Sequence, residues 1–185
     1  MDRDDERRVD LQTLGLVAAY TSKIPESLDY YAASRAIYES NPALMGEEYA
    51  SCMNDYALAL LEAGRGPEAE PMFRQALDIQ RHLLGEDHPE VSNTLFNLAL
   101  SYRDRGDFKA AEPIQRQLLA LDRQHYDAHH PTVAYSLMSL GNTLVENGQF
   151  EEAERNFREA LEIRQATLEP GHPDIVKNLG TVGLT

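Results

Sequence analysis

The imidazole and thiol side chains, which serve as soft metal ligands and strong nucleophiles, are few: six histidines and one cysteine. Three of the histidines precede proline, as His88-Pro89, His130-Pro131 and His172-Pro173, at a constant spacing of 42 residues. Side chains that recur once per structural repeat sit roughly 10 Å apart or more, a helix-packing distance. A metal draws its ligands in to ~2 Å, so these three cannot share one ion. Proline suits the first turn of a helix, where its missing N–H is not needed, and this assigns the preceding histidines to backbone capping or to the surface. The densest cluster is His125, His129 and His130, with Asp127 as its only acid. The i,i+4 spacing of His125 and His129 chelates a transition metal when both lie on one helix, but the helical pattern ends near them. Neither a dedicated metal site nor a cofactor is expected. Cys52 has no partner for an intramolecular disulfide and falls within a helical pattern as a small packing residue. A Gly-rich phosphate loop, a His-Glu-x-x-His motif and a zinc-type Cys-His spacing are all absent. The expectation is a protein that is not an enzyme.

The charge balance narrows the partners. Acids outnumber bases 31 to 17 in 185 residues, giving a net charge of −14. A general nucleic-acid binder needs a basic footprint to displace counterions, and an anionic membrane surface repels this chain for the same reason. The charged start, Met1 to Arg8, is not followed by an apolar run of the signal-peptide kind, and the most apolar stretch, Leu14 to Tyr20, is too short to span a bilayer. A cytoplasmic protein that binds neither nucleic acid nor membrane is expected.

The elements that must position any site follow from the repeat. Gly64, Gly106 and Gly148 share the 42-residue spacing of the His-Pro pairs, as do Glu70, Glu112 and Glu154, Arg74, Arg116 and Arg158, and Ala69, Ala111 and Ala153. Gly15 falls in the frame of Ala57, Ala99 and Gly141, and Tyr31 in that of Phe73 and Phe157. The spacing predicts four repeats within residues 10–178, at about 11–52, 53–94, 95–136 and 137–178, after a charged lead-in over 1–9. A partial fifth repeat or capping segment over 179–185 completes the expected organisation. Each repeat carries two amphipathic patterns. In the third, Leu95, Leu98, Ala99 and Tyr102 share one helical face, Gly106 stops the helix, and Phe108, Ala111, Leu118, Leu119 and Leu121 begin a second face. The fold class is all-α, a solenoid of antiparallel helix pairs, with breaks near Gly64, Gly85, Gly106, Pro131, Gly148 and Gly171. The Glu–Arg columns form i,i+4 pairs with the acid first, each stabilising its helix by ~0.2–0.5 kcal/mol.

The order Leu-x-x-Leu, small residue, Gly, Ala-x-x-x-Phe resembles the tetratricopeptide repeat; the fourth repeat shows it as Leu137, Leu140, Gly141, Gly148, Ala153, Phe157 and Ala160. The 42-residue length, the segments Ala69-Glu70-Pro71 and Ala111-Glu112-Pro113, and Leu84-Gly85-Glu86-Asp87-His88-Pro89 are similar to the kinesin light chain subfamily. The resemblance implies a right-handed superhelix whose first helices line a concave, peptide-binding groove. Carried over residue by residue, it places Asn54, Asp55, Leu58 and Glu62 in that groove, then Asn93, Phe96, Asn97, Leu100, Arg103 and Asp104, then Tyr135, Met138, Ser139, Asn142 and Glu146. Leu58, Phe96, Leu100 and Met138 would form its apolar floor, and Asn54, Asn97 and Asn142 would bond a peptide backbone from either side of their amides. The groove acids imply a neutral or basic ligand. The expected function is a non-catalytic module binding a partner peptide or helix; the alternatives are a regulatory or sensor domain of a larger signalling protein and a self-associating scaffold. Association would run through the C-terminal edge, where Ile175, Val176, Leu179 and Val182 continue a first-helix pattern weakened by Gly180 and Gly183, unless that stripe lies on the fourth repeat.

Overall fold

A computed structural model describes residues 3–182. Among the described residues the chain forms nine α-helices and one 3-10 turn and contains no strand. The helices are α1 Arg3–Tyr20, α2 Ile24–Ser40, α3 Glu47–Glu62, α4 Gly66–Leu84, α5 Pro89–Asp104, α6 Phe108–His125, α7 Pro131–Glu146, α8 Phe150–Thr167 and α9 Pro173–Val182, with the 3-10 turn at Pro42–Leu44. First helices begin at Glu47, Pro89, Pro131 and Pro173, so a period drawn from residue 53 cuts each of them after about two turns.

Glycine stops the first helices as the spacing predicts. Gly64, Gly106 and Gly148 take φ of 73°, 74° and 75°, the left-handed region that costs glycine little. Each closes a Schellman motif: Arg65 N–H reaches the Leu60 carbonyl at 2.8 Å, Asp107 that of Tyr102 at 2.9 Å, and Gln149 that of Leu144 at 2.8 Å. Ser22, 42 residues before Gly64, adopts φ 58° and the same closure, with Lys23 N–H 2.8 Å from the Ala18 carbonyl. The repeat therefore runs back to α1 through a serine held in a glycine conformation.

The chain divides into two compact units, Met1–Ser101 and Tyr102–Thr185. In the first, α1 packs on α2, α2 on α3 and α3 on α4. Its core gathers Tyr31, Tyr38, Tyr49, Cys52, Met53 and Ala76. In the second, α6 packs on α7, α7 on α8 and α8 on α9. Its core holds Val133, Leu137, Leu140, Leu144, Phe157 and Ile163. A glycine faces the ring of Tyr31 and another faces that of Phe157. A Cβ on Gly141 would lie 2.4 Å from the Phe157 ring, and one on Gly15 would lie 3.1 Å from the Tyr31 ring.

Helices α4, α6 and α8 also meet the next first helix through a hydrogen bond between residues 14 apart. Thr94 donates to Gln80 at 2.7 Å in the first unit, Ser136 to Asp122 at 2.5 Å and Arg164 to Asn178 at 3.3 Å in the second. Asn178 also donates to the Phe157 carbonyl at 3.0 Å, and Ile175 is buried beside it, so α9 lies on α8 by these two residues while Val176 stays 59% exposed. The side chains of Leu179 and Val182, on which the association stripe depends, lie outside the described residues.

Candidate functional site

The histidines resolve as caps. The Nδ1 atoms of His88, His130 and His172 accept the backbone N–H of Glu90, Thr132 and Asp174 at 3.3, 3.2 and 3.2 Å. Each fills one of the donors left open at a helix start. Helix α6 ends at His125, so His125 and His129 do not share a helical face; Tyr126 stacks on His130 with ring centroids 4.2 Å apart. Among the described residues no group of three or more His, Cys, Asp or Glu side chains could hold a metal ion. Cys52 is fully buried, its thiol 3.6 Å from the Ser34 hydroxyl. No described helix is long and apolar enough to cross a membrane.

The Glu–Arg columns form the expected i,i+4 pairs, Arg74 with Glu70 at 3.2 Å, Arg116 with Glu112 at 2.9 Å, and Arg158 with Glu154. In the second unit the pair becomes a network. Arg116 also donates to Glu152 on α8 at 2.6 and 2.8 Å, and Glu112 accepts from Asn147 at 2.7 Å and Gln149 at 2.8 Å. Those bonds hold the Arg116 guanidinium well above its ordinary value, the Glu152 bond most of all.

The predicted groove positions separate into three kinds. On α3 and α5 of the first unit, Asn54, Asp55, Leu58, Phe96, Asn97 and Leu100 are half-buried, while Glu62 and Asn93 are exposed. The asparagines are linked: Asn97 donates to Asn54 at 3.0 Å, and Asn54 approaches Asp55 at 3.5 Å. This leaves the Asn97 carbonyl oxygen and one N–H of each amide for a ligand. Burial pushes the Asp55 carboxyl above the ordinary carboxylate range; hydrogen bonds from Gln12 and Asn54 pull it back, and nearby Glu90 adds to the rise.

The second kind is core. Met138, expected in the groove floor, is only 7% exposed and packs among Leu137, Leu140 and Phe157. The third kind is the rest of the second unit's set, where Tyr135, Asn142, Asp104 and Glu146 are exposed. Arg103 donates to Ser139 at 3.2 Å, and Ser139 also accepts from buried Gln115 at 3.0 Å. Gln115 occupies the frame of Tyr31, Phe73 and Phe157 and puts an amide where the other repeats have a ring.

One surface was missed from the sequence. Leu16, Ala19 and Tyr20 of α1, Tyr31 of α2, and Asp55, Leu58, Ala59 and Glu62 of α3 line a solvent-open cavity of about 180 Å³. Leu16 and Tyr20 are 42% and 84% exposed. Leu16 falls in the frame of Leu58 and Tyr20 in that of Glu62, so carrying the 42-residue step back once would have found them.

These helix pairs, their glycine stops and the glycines facing Tyr31 and Phe157 define a class of helical repeat. Family models of the tetratricopeptide repeat match residues 5–81, 48–124 and 133–174. The chain belongs to the tetratricopeptide repeat family, whose arrays serve as protein-interaction modules. Its fold is similar to that of a kinesin-light-chain-type protein of Podosopora anserina with nearly identical tetratricopeptide-like repeats, at 22% identity and a TM-score of 0.84 over 100% of this chain and 87% of that one. BtubC from P. vanneervenii is similar at 20% identity and 0.83, covering 92% and 69%. A Rap protein complexed with competence and sporulation factor is similar at 18% and 0.67, covering 89% of this chain and 44% of that protein. No curated protein matches the sequence.

Proposed function

We propose that the chain is a non-catalytic interaction module that binds a peptide or helix of a partner protein along its first helices, in the groove set out from residues 54 to 146. The observation that carries this reading is the face of α1, α3 and α5 in the first unit, where apolar Leu16, Tyr20, Leu58, Phe96 and Leu100 stay partly exposed beside the linked amides of Asn54 and Asn97. Apolar side chains give an anchor its area, and free amide donors and acceptors satisfy an extended backbone whatever its sequence. On this reading residues 10–178 are four repeats, and Arg103, Tyr135 and Asn142 are the matching first-helix positions of the second unit. A reducing cytoplasm suits Cys52, which forms no disulfide.

Affinity capture from native lysate tests it. Phe96→Ala and Asn97→Ala should lower partner recovery several-fold, since a buried aromatic anchor is typically worth at least ~2 kcal/mol. Arg116→Ala, on the ion-paired face of α6, should leave recovery unchanged. Loss with Arg116→Ala and retention with the other two would reverse the assignment.

A regulatory domain within a larger signalling protein is the second reading. It is supported by the likeness to a Rap protein of which this chain spans less than half. Self-association through α9 rests on the exposed Val176.

A further inference from the structure

The cavity between α1 and α3 has a composition that selects its occupant. Four of its lining residues, Leu16, Ala19, Leu58 and Ala59, are aliphatic. Tyr20 stands at the mouth, 84% exposed, and Tyr31 closes the floor at 1%. The only ionisable groups besides the tyrosines are two carboxylates, Asp55 and Glu62, both acidic and two helical turns apart on one face of α3. At about 180 Å³ the cavity is smaller than the ~300 Å³ at which pockets for whole small molecules begin, and it suits one side chain.

A side chain that fits must offer apolar length to the aliphatic walls and a positive end to the acids. Lysine and arginine have this form: their methylene stems lie along apolar surface while the charged head stays with water or a carboxylate. An exposed tyrosine ring at the rim adds an attractive face for a cation. An acidic side chain would meet like charges. A purely apolar one would seal Asp55, already partly desolvated, further from water and bring no positive charge to join the bonds from Gln12 and Asn54, which is costly.

We propose that this cavity receives a basic side chain, arginine in preference to lysine, from the bound partner segment. Its stem packs on Leu16, Leu58 and Ala59, its head bonds Asp55, and Glu62 with the Tyr20 ring surrounds the entrance. Arginine is preferred because its planar guanidinium both stacks on a ring and pairs with a carboxylate through two N–H groups. The proposal rests on the groove reading above and adds the chemistry of one anchor to it.

The test is an NMR titration of the full chain with acetyl-Leu-Arg-Leu-amide and with its citrulline analogue, which keeps the shape of the side chain and loses the charge. Amide shifts are expected at Leu16, Tyr20, Asp55, Leu58 and Glu62, with the citrulline peptide binding about tenfold more weakly, ~1.4 kcal/mol. Asp55→Asn should erase the difference between the two peptides while raising thermal stability at neutral pH, because it removes a carboxylate that burial disfavours. A residue that only held the fold would not give that opposed pair. Glu62→Gln should narrow the difference, and Glu151→Gln on α8 should leave it intact. Equal binding of both peptides at these residues would overturn the basic anchor and leave the groove reading standing. Shifts at Phe96 and Asn97 without any at α1 and α3, or no shift at all, would overturn the anchor alone; shifts confined to faces outside α1, α3 and α5 would overturn both.

Discussion

Tyrosines fill the core of the first unit, where Tyr31 and Tyr56 stack at 6.1 Å and Tyr38 meets Tyr49 at a tilt, 5.2 Å between ring centroids. In the second unit branched aliphatics surround one phenylalanine, Phe157. Their outer surfaces differ as well. In the second unit Arg116 ties α6 to α8 through Glu152, and Arg123 adds a bond to Glu159 at 2.7 Å. The first unit presents the α1–α3 cavity with its half-buried Asp55. A 42-residue period therefore fixes where the backbone turns and where a small residue must face a ring. It leaves open which chemistry fills the space around them, so ion pairs tie α6 to α8 in one unit while α1 and α3 of the other frame an acid-lined pocket.

The closeness of backbone to ring gives the sharpest way to break this comparison. Gly141→Ala would place a Cβ 2.4 Å from Phe157 and should destabilise the chain by ~1–3 kcal/mol in urea unfolding, because a packed core resists added volume. Gly15→Ala, 3.1 Å from Tyr31, should cost much less, with the helix-propensity gain of alanine, about 1 kcal/mol, offsetting the crowding. Equal losses at the two sites would mean that the aromatic and aliphatic cores pack alike.

Next in size is the left-handed serine. Ser22→Gly should stabilise the first unit by roughly 1 kcal/mol, since a side chain in that region costs about that much. Gly148→Ser should lose a similar amount in the second, again by denaturant midpoint. A neutral result for Ser22→Gly would show that the larger unfolded-state entropy of glycine cancels the relief of strain.

The smallest effect concerns the junction bonds. Gln80 in the first unit is neutral, whereas Asp122 in the same frame carries a carboxyl that burial pushes above its ordinary range, with the Ser136 bond and nearby His125 and His130 pulling it back. A raised folded value means that protonation favours the fold. That contribution is full below the ordinary carboxylate range and is lost as pH rises through the folded value. Asp122→Asn should thus raise the melting temperature at pH 7 and leave it nearly unchanged at pH 3, which flattens the pH profile.

Much of the fold was legible because it depends on local rules. Glycine past a helix end and histidine before proline act within one turn, and both appear as columns in the sequence. Ser22 was not legible, since serine rarely adopts positive φ and only the closed turn reveals it. Met138 was misplaced because groove and core positions lie side by side on one helix, and a single residue step separates an apolar floor from an apolar core. The Asn97–Asn54 bond spans 43 residues and depends on two helices meeting, which no pattern within one repeat encodes. Leu16 and Tyr20 were readable only as part of an apolar stretch until the period was extended through α1.

That 43-residue bond is also the longest-range hydrogen bond described above, and it bears on how the chain reaches this structure. Closing a flexible loop costs entropy that grows only with the logarithm of its length, about 0.6 kcal/mol per doubling, but the wait for distant segments to meet slows folding far more. Here each helix pair finds its neighbour within about one repeat of chain. A pair can settle as soon as the next helix has been synthesised, and the chain's folding order can follow its order of synthesis without waiting for the C-terminus.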